Sequence, residues 1–300
     1  MRRTAEYVYP GRPDVIVDKI TAVAEVIVAA GLEGGTIGFE DASLPYGVYK
    51  GLTGALPGAT FKPASNLLAR LRAIKSPEEL SRIKRAMHAT QAGARAIRDN
   101  IRPGITELEL ANLAHDACVA AGGESVDFVI VGAAENGAIV HGKPSDYALQ
   151  EGDIIRFDLG AGYGSYPGDF ARTYVVGAKA NERDTMHYEA VRAAVAAGVE
   201  AVRPGAPAGQ VYDAMLAAGT AIDPDLRREH AGHGMGLEIH EEPMIYKGSD
   251  FVLEPGMVVM IECGRYILGQ AGYQLEDLVL VTDSGHELMT DVPRDLVITR

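Results

Sequence analysis

Twice along this chain a long helix, an Arg-Pro-Gly break and a second helix follow one another, and each pair leads into strands. In the first copy Ser76 stands where an N-cap belongs, with Pro77 at the first helical position and Glu79 three residues after the cap. The helical pattern then holds from Pro77 to about Asn100. Arg102-Pro103-Gly104 breaks it, Thr106 caps a second helix over Glu107–Ala121, Gly122-Gly123 closes that helix, and Ser125–Val131 reads as a strand. The second copy runs from a helix at about Asp184–Val202, through Arg203-Pro204-Gly205, to a helix over Ala208–Gly219. Two three-residue matches say little alone; in the same order of elements they predict an internal duplication of a helix–helix–strands unit. Ahead of it, residues 1–71 read as a small α/β unit. A helix over Asp14–Ala30 stops at Gly31, Thr36–Glu40 and Ala59–Lys62 read as short strands, and Tyr46–Leu56 as helical despite its glycines. The chain is expected to divide into 1–71 and 72–300.

Between the two copies, Asp153–Val176 reads as two strands joined by a Gly/Tyr/Pro-rich connection. Each strand carries an Asp that its apolar pattern does not want, Asp158 and Asp169. Like charges on paired strands are costly unless a cation lies between them. Three more misfits follow. Gly232-His-Gly-Met-Gly-Leu-Glu-Ile-His-Glu-Glu-Pro243 holds His233 and His240 among glycines that let a backbone approach closely. The apolar run Met257–Ile261 ends in Glu262, and Glu276 with Asp277 leads into another strand. Taken singly, each has an ordinary explanation: an Asp capping a turn, a satisfied buried His, a Glu closing a strand. Two Asp, one His and two Glu on separate strands point instead to metal. Oxygen-rich ligation with one imidazole suits Mn, Co, Fe or Zn and disfavours a structural zinc, and five such side chains suffice for two ions.

Composition narrows the partners. A net charge of −13 argues against nucleic acid as the main one. No apolar run is long enough to span a bilayer and no apolar segment follows Met1-Arg2-Arg3, so no membrane partner is expected. Two cysteines, Cys118 and Cys263, without a disulfide framework suit a reducing compartment, and a cytoplasmic protein is expected.

From about Arg70 onward the segments resemble the pita-bread metallopeptidases, the superfamily of methionine aminopeptidase, Xaa-Pro aminopeptidase, prolidase and creatinase. The resemblance rests on Ile74-Lys-Ser-Pro-Glu-Glu79, on Glu135-Asn-Gly-Ala-Ile-Val-His-Gly-Lys-Pro144 and on the Asp158/Asp169 pair. It continues through the His233/His240 motif, Ile261-Glu-Cys-Gly-Arg-Tyr266 and Leu275-Glu-Asp-Leu-Val-Leu-Val-Thr282. It implies an α/β pita-bread fold, a pseudo-twofold duplicated unit around a curved antiparallel sheet, with a short partial creatinase-type N-terminal domain. By position, Asp169 and Glu276 would bridge two divalent ions, with Mn favoured; Asp158 would hold one ion, His233 with Glu262 the other. The resemblance makes a metal-bridging hydroxide the nucleophile and Glu262 the proton carrier. His141 and His240 would be the substrate-binding histidines. His230 matches no role; Cys263, Tyr266 and Asp277 read as supporting or packing residues.

The Glu241-Glu242-Pro243 ending points to the prolidase/Xaa-Pro aminopeptidase branch, and so to an Xaa-Pro dipeptidase or aminopeptidase, in that branch commonly a homodimer. Two positions depart from the branch: Cys263 stands for Pro, and Gln274 for an Arg beside the metals or substrate. Gln274 shares a strand face with Glu276 and is expected to reach substrate, but without the Arg's fixed charge. Three readings therefore stand: an Xaa-Pro metallopeptidase, a metal-dependent hydrolase or lyase of a small non-peptide metabolite, and a catalytically silent binding module. The complete ligand set weighs against the third.

Overall fold

The computed structural model describes residues 18–177 and 180–299. The chain divides into two compact units, Met1–Leu71 and Arg72–Arg300. The expected start of the first helix at Asp14 lies outside the described residues; within them α1 spans Lys19–Ala29, capped by the Asp18 carboxylate on the Ile20 N–H. The first unit continues with β1 (Thr36–Phe39), α2 (Tyr46–Ala55), β2 (Thr60–Pro63) and most of α3 (Ser65–Ala73), whose last two residues fall in the second unit. β1 and β2 pair in parallel. The rings of Phe39, Tyr49 and Phe61 meet at centroid distances of 4.9–6.5 Å, and Leu52 and Leu56 are buried. The sequence reading did not foresee α3.

The second unit opens on α4 (Pro77–Asn100) and α5 (Glu107–Ala120). Both begin with a reciprocal capping box, Ser76 with Glu79 and Thr106 with Glu109, each satisfying two backbone N–H groups that a helix start leaves orphaned. β3 (Ser125–Ala133), a 3₁₀ turn at Ala134–Ala138, β4 (Ile154–Tyr163), β5 (Tyr166–Pro167) and β6 (Phe170–Val176) follow. The second copy gives α6 (Glu182–Ala201), α7 (Ala208–Thr220), β7 (His230–Gly234), β8 (Glu241–Tyr246), β9 (Val258–Ile267), β10 (Ala271–Thr282) and β11 (Gly285–Leu288); β12 (Val297–Thr299) comes last. Each helix pair covers strands of its own half. Ile83, Met87, Ile97 and Leu110 pack with Phe157 and Leu159, while Val191, Val195, Val211 and Met215 pack with Ile261 and Val279. The duplication expected from the two Arg-Pro-Gly turns is thus present in the architecture.

The strands form two ladders, β11-β10-β9-β7-β8 and β12-β6-β4-β3, antiparallel except for β12 on β6. They meet where β6 faces β10, and side chains do the joining there. The Thr173 hydroxyl accepts from the Gln274 N–H at 2.8 Å and donates to the Gln274 carbonyl at 2.9 Å. Next to it the buried Arg172 guanidinium donates to the Glu276 carbonyl and to Asp277 Oδ1 at 2.8 Å. Asp277, which also pairs with Arg294, is therefore a seam residue. Among the described residues no helix is long and apolar enough to cross a membrane.

Candidate metal centre

Strand register decides which misfit residues meet. In the β4–β6 pair Asp158 lies opposite Ala171 and Leu159 opposite Phe170. Asp169 comes immediately before β6, in the two-residue lapse at Gly168-Asp169 between β5 and β6, so the expectation that it lies within the strand needs that correction. Asp158 and Asp169 are accordingly diagonal neighbours, not a facing pair. In the β9–β10 pair Glu262 stands directly opposite Glu276, an arrangement that is destabilising between like charges. His233 comes from β7, which is threaded between β8 and β9. Its glycine neighbours allow this. A Cβ at Gly232, whose φ is +140°, would fall 1.8 Å from the Met260 carbonyl, and one at Gly234 would fall 2.3 Å from that of Glu242.

These five side chains converge. Ligand atoms of Asp158, Asp169 and Glu276 lie within 4.8 Å of one another. His233 Nε2 is 3.6 Å from Asp169 Oδ2 and 3.7 Å from Glu262 Oε1. His233 Nδ1 lies 3.1 Å from the Gly234 carbonyl, which can only accept, so in the neutral ring Nδ1 carries the proton and Nε2 offers its lone pair to the acids. Burial pushes His233 down to about 4, which favours that neutral form. Burial also raises Asp158 to about 6. It raises Asp169 and Glu276 well above the carboxylate range, helped by the charges of their acidic neighbours. Asp158 Oδ1 and Glu276 Oε2 are buried without a hydrogen-bond partner. Orphaned anionic oxygens at this density are costly in a protein interior unless protons or cations meet them. Four carboxylates and one imidazole with its lone pair facing them fit divalent cations.

A pH signature follows. The folded-state pKa of Asp158 is raised, so in metal-free protein its contribution to stability is full below the unfolded carboxylate value and is lost as pH rises through about 6. Cations take over as protons leave. The rise in melting temperature on adding Mn(II) to EDTA-treated protein should be larger at pH 8 than at pH 5. Equal increments at both pH values would place the bound ion elsewhere.

The cluster forms the floor of a cavity of about 630 Å³. His141 reaches it from the segment after the 3₁₀ turn, and His240 from the residue before β8; both side chains are exposed to the opening. The rings of His240 and His233 are 4.1 Å apart. His230, for which the sequence suggested no role, has Nδ1 3.4 Å from Glu262 Oε1, and Arg228, which the sequence reading missed, has Nη2 3.3 Å from Glu262 Oε2. Nothing in Arg228's sequence surroundings signals this contact. Below His240, the next residue Glu241 accepts from buried Lys75 Nζ at 2.8 Å and from Arg72 Nη2 at 2.7 Å. Glu241→Gln would leave the Lys75 ammonium buried beside a neutral group, at a cost of about 3 kcal/mol, and should loosen the start of β8. Denaturant unfolding measures the loss; a change below about 0.5 kcal/mol would mean the pair does not brace this strand.

Gln274 lines the cavity, but its amide is committed to protein. Nε2 donates to Asp158 Oδ2 at 2.9 Å and to Glu276 Oε1 at 2.7 Å, while Oε1 accepts from Arg156 Nη1 at 2.6 Å. The expectation of a missing cation is therefore corrected. A guanidinium is present one hydrogen bond away, delivered from β4. Arg156 was legible as a charge interrupting Ile-Ile-Arg-Phe, two residues before Asp158 and hence on the same strand face.

Residues 81–283 match the sequence profile of metallopeptidase family M24. The chain belongs to metallopeptidase family M24. Residues 2–74 of this M24 enzyme match the creatinase/prolidase N-terminal domain. It is 34% identical to the Xaa-Pro dipeptidase of Pyrococcus furiosus over 247 residues, 79% of this chain and 68% of that one. Among solved structures it resembles X-Pro aminopeptidase from Thermotoga maritima, with TM-score 0.85, 26% identity and coverage of 94% and 79%. It also resembles dipeptidase PepE from Mycobacterium ulcerans, with TM-score 0.82, 36% identity and coverage of 92% and 74%. The expected pita-bread fold is the fold of this M24 chain. As an M24 metallopeptidase it is a hydrolase that depends on divalent metal ions.

Proposed function

We propose that this M24 enzyme hydrolyses the bond between an N-terminal residue and proline in small peptides, as an Xaa-Pro dipeptidase or aminopeptidase. The observation that carries the reading is the buried constellation of four carboxylates and one histidine, with orphaned oxygens, at the floor of a cavity of peptide size. The names of the relatives, an Xaa-Pro dipeptidase and an X-Pro aminopeptidase, support the choice of bond. Residues 1–71 would be a partial creatinase-type N-terminal domain and 72–300 the catalytic domain. Asp169 and Glu276 would each serve two ions, Asp158 one of them, and His233 with Glu262 the other. The predominance of carboxylates favours manganese among the candidate metals. Divalent ions held there supply Lewis acidity and an acidified water.

The chain's own groups do the rest. Glu262 takes a proton and returns it to the departing nitrogen, a step a prolyl bond requires because the amine leaves only when protonated. Arg228 donates to that carboxylate and fixes its orientation, and His230 stands beside it. His141 and His240 donate hydrogen bonds to the carbonyl oxygen as charge develops on it. The nitrogen of an Xaa-Pro bond carries no hydrogen, so no acceptor is needed opposite it. Two buried free cysteines are in keeping with a cytoplasmic setting, and we infer a homodimer from the branch the sequence resembles.

The deciding experiment is turnover of a dipeptide panel, with Mn, Co, Fe or Zn added, against small zwitterionic amides. Preferential cleavage of Xaa-Pro dipeptides or longer Xaa-Pro peptides is expected, and light scattering should give twice the chain mass. Exclusive turnover of a non-peptide amide would replace this reading with that of a metabolite hydrolase on the same site.

A further inference from the structure

Arg156 is fully buried on β4, and a buried guanidinium needs a reason, since desolvating it costs several kcal/mol. Its four hydrogen bonds go in two directions. Nε donates to the Gly137 carbonyl at 2.7 Å, and Nη2 donates to the Ile139 carbonyl at 2.6 Å and to that of Val140. These carbonyls belong to the segment that ends in His141. On the other side Nη1 donates to Gln274 Oε1 at 2.6 Å, and the guanidinium carbon lies 5.2 Å from the centre of the Tyr266 ring.

The contact with Gln274 settles the direction of an amide. Were it flipped, the NH₂ group would face the guanidinium and the oxygen would face two carboxylates, so all three contacts would be repulsive. With Arg156 in place, the NH₂ group takes one oxygen of Asp158 and one of Glu276. The oxygens left without a partner are Asp158 Oδ1 and Glu276 Oε2. Each carboxylate is thereby sorted into an oxygen held by protein and an oxygen left for a cation.

We propose that Arg156 is a positioning residue of the metal site: through the Gln274 amide it orients Asp158 and Glu276 toward the ions, and through three carbonyls it fixes the segment that carries His141. The inference rests on the reading of those two carboxylates as metal ligands. It assigns to β4 the cation that the sequence suggested was absent, and gives Gln274 the task of orienting ligands where direct contact with substrate was expected.

The test is a double-mutant cycle read by calorimetric titration of EDTA-treated protein with Mn(II), alongside melting temperatures. Arg156→Met and Gln274→Met should each weaken Mn(II) binding about 10- to 100-fold, the usual scale for a group that orients a metal ligand. The double variant should be no more than about threefold weaker than the weaker single, because the two act as one unit. If Arg156→Met lowers only the melting temperature and binds Mn(II) like the parent, Arg156 is structural and the proposal is overturned. Losses that multiply in the double variant overturn it equally, since Arg156 would not be acting through Gln274. If Arg156→Met does not fold, Arg156→Lys, which keeps the charge but not the fork, takes its place in the cycle with the same two outcomes. A parent protein that takes up no Mn(II) would remove the metal reading itself, a result distinct from a parent that binds and a variant that binds equally.

Discussion

Asp169→Asn should reduce turnover to background and strip at least one ion from the protein, yet leave the metal-free protein melting a few degrees higher than the parent. The two effects share one cause. Asp169 is desolvated and lies within reach of Asp158 and Glu262, so its ionised form is penalised by burial first and by its neighbours' charges second. Asn has the same shape and no charge to penalise. In the absence of metal the substitution relieves repulsion that the parent tolerates; in its presence it removes an anion that the ions require. For a catalytic unit of this size about 1 kcal/mol corresponds to about 2–4 °C in melting temperature. Metal content by mass spectrometry, turnover, and melts in EDTA measure the three consequences separately. Parent-like turnover with two bound ions would sink the assignment. A metal-free variant less stable than the parent would show that Asp169 is satisfied by protein and not waiting for a cation.

His240→Ala should divide one role from another. The ring stands at the mouth of the cavity, 4.1 Å from that of His233, but His233 is the histidine whose Nε2 faces the acids. Removing a single donor to a developing oxyanion typically lowers turnover about 100- to 1,000-fold, and a loss of about 100-fold or more is expected here. Metal content should be unchanged. The loss should fall on kcat more than on KM, because the contact strengthens as the carbonyl oxygen gains charge. Loss of an ion along with activity would make His240 a ligand and require the division of roles to be redrawn.

How far this was legible from the sequence differs by kind of feature. α4 and α5 were readable to within a residue or so, because capping boxes and Arg-Pro-Gly breaks act locally and their signals are local. The convergence of Asp158, Asp169, His233, Glu262 and Glu276 was readable because each breaks the apolar pattern of its own surroundings. Their pairing was not. That Glu262 and Glu276 stand directly opposite one another is a property of register, and a shift of one residue would have sent one of them to the other face. Asp169 was placed in a strand because alternation does not reveal that the strand lapses at Gly168-Asp169. Arg156 interrupts an apolar run as plainly as Asp158 does, but only the fold shows that its partner is a glutamine on β10. Lys75, Arg228 and the Thr173 bridge meet residues far along the chain, and no window of neighbouring sequence contains those contacts.

The placement of these groups along the chain has a consequence for synthesis. Of the five, Asp158 and Asp169 are made first, His233 later, and the facing pair Glu262 and Glu276 last. A growing polypeptide still short of β9 and β10 holds two of the four carboxylates and lacks the strands that bring His233 up to them. On the proposed ligand set, metal capture would wait for the β9–β10 hairpin to pair, and a product truncated before Glu262 would present only a fragment of that set.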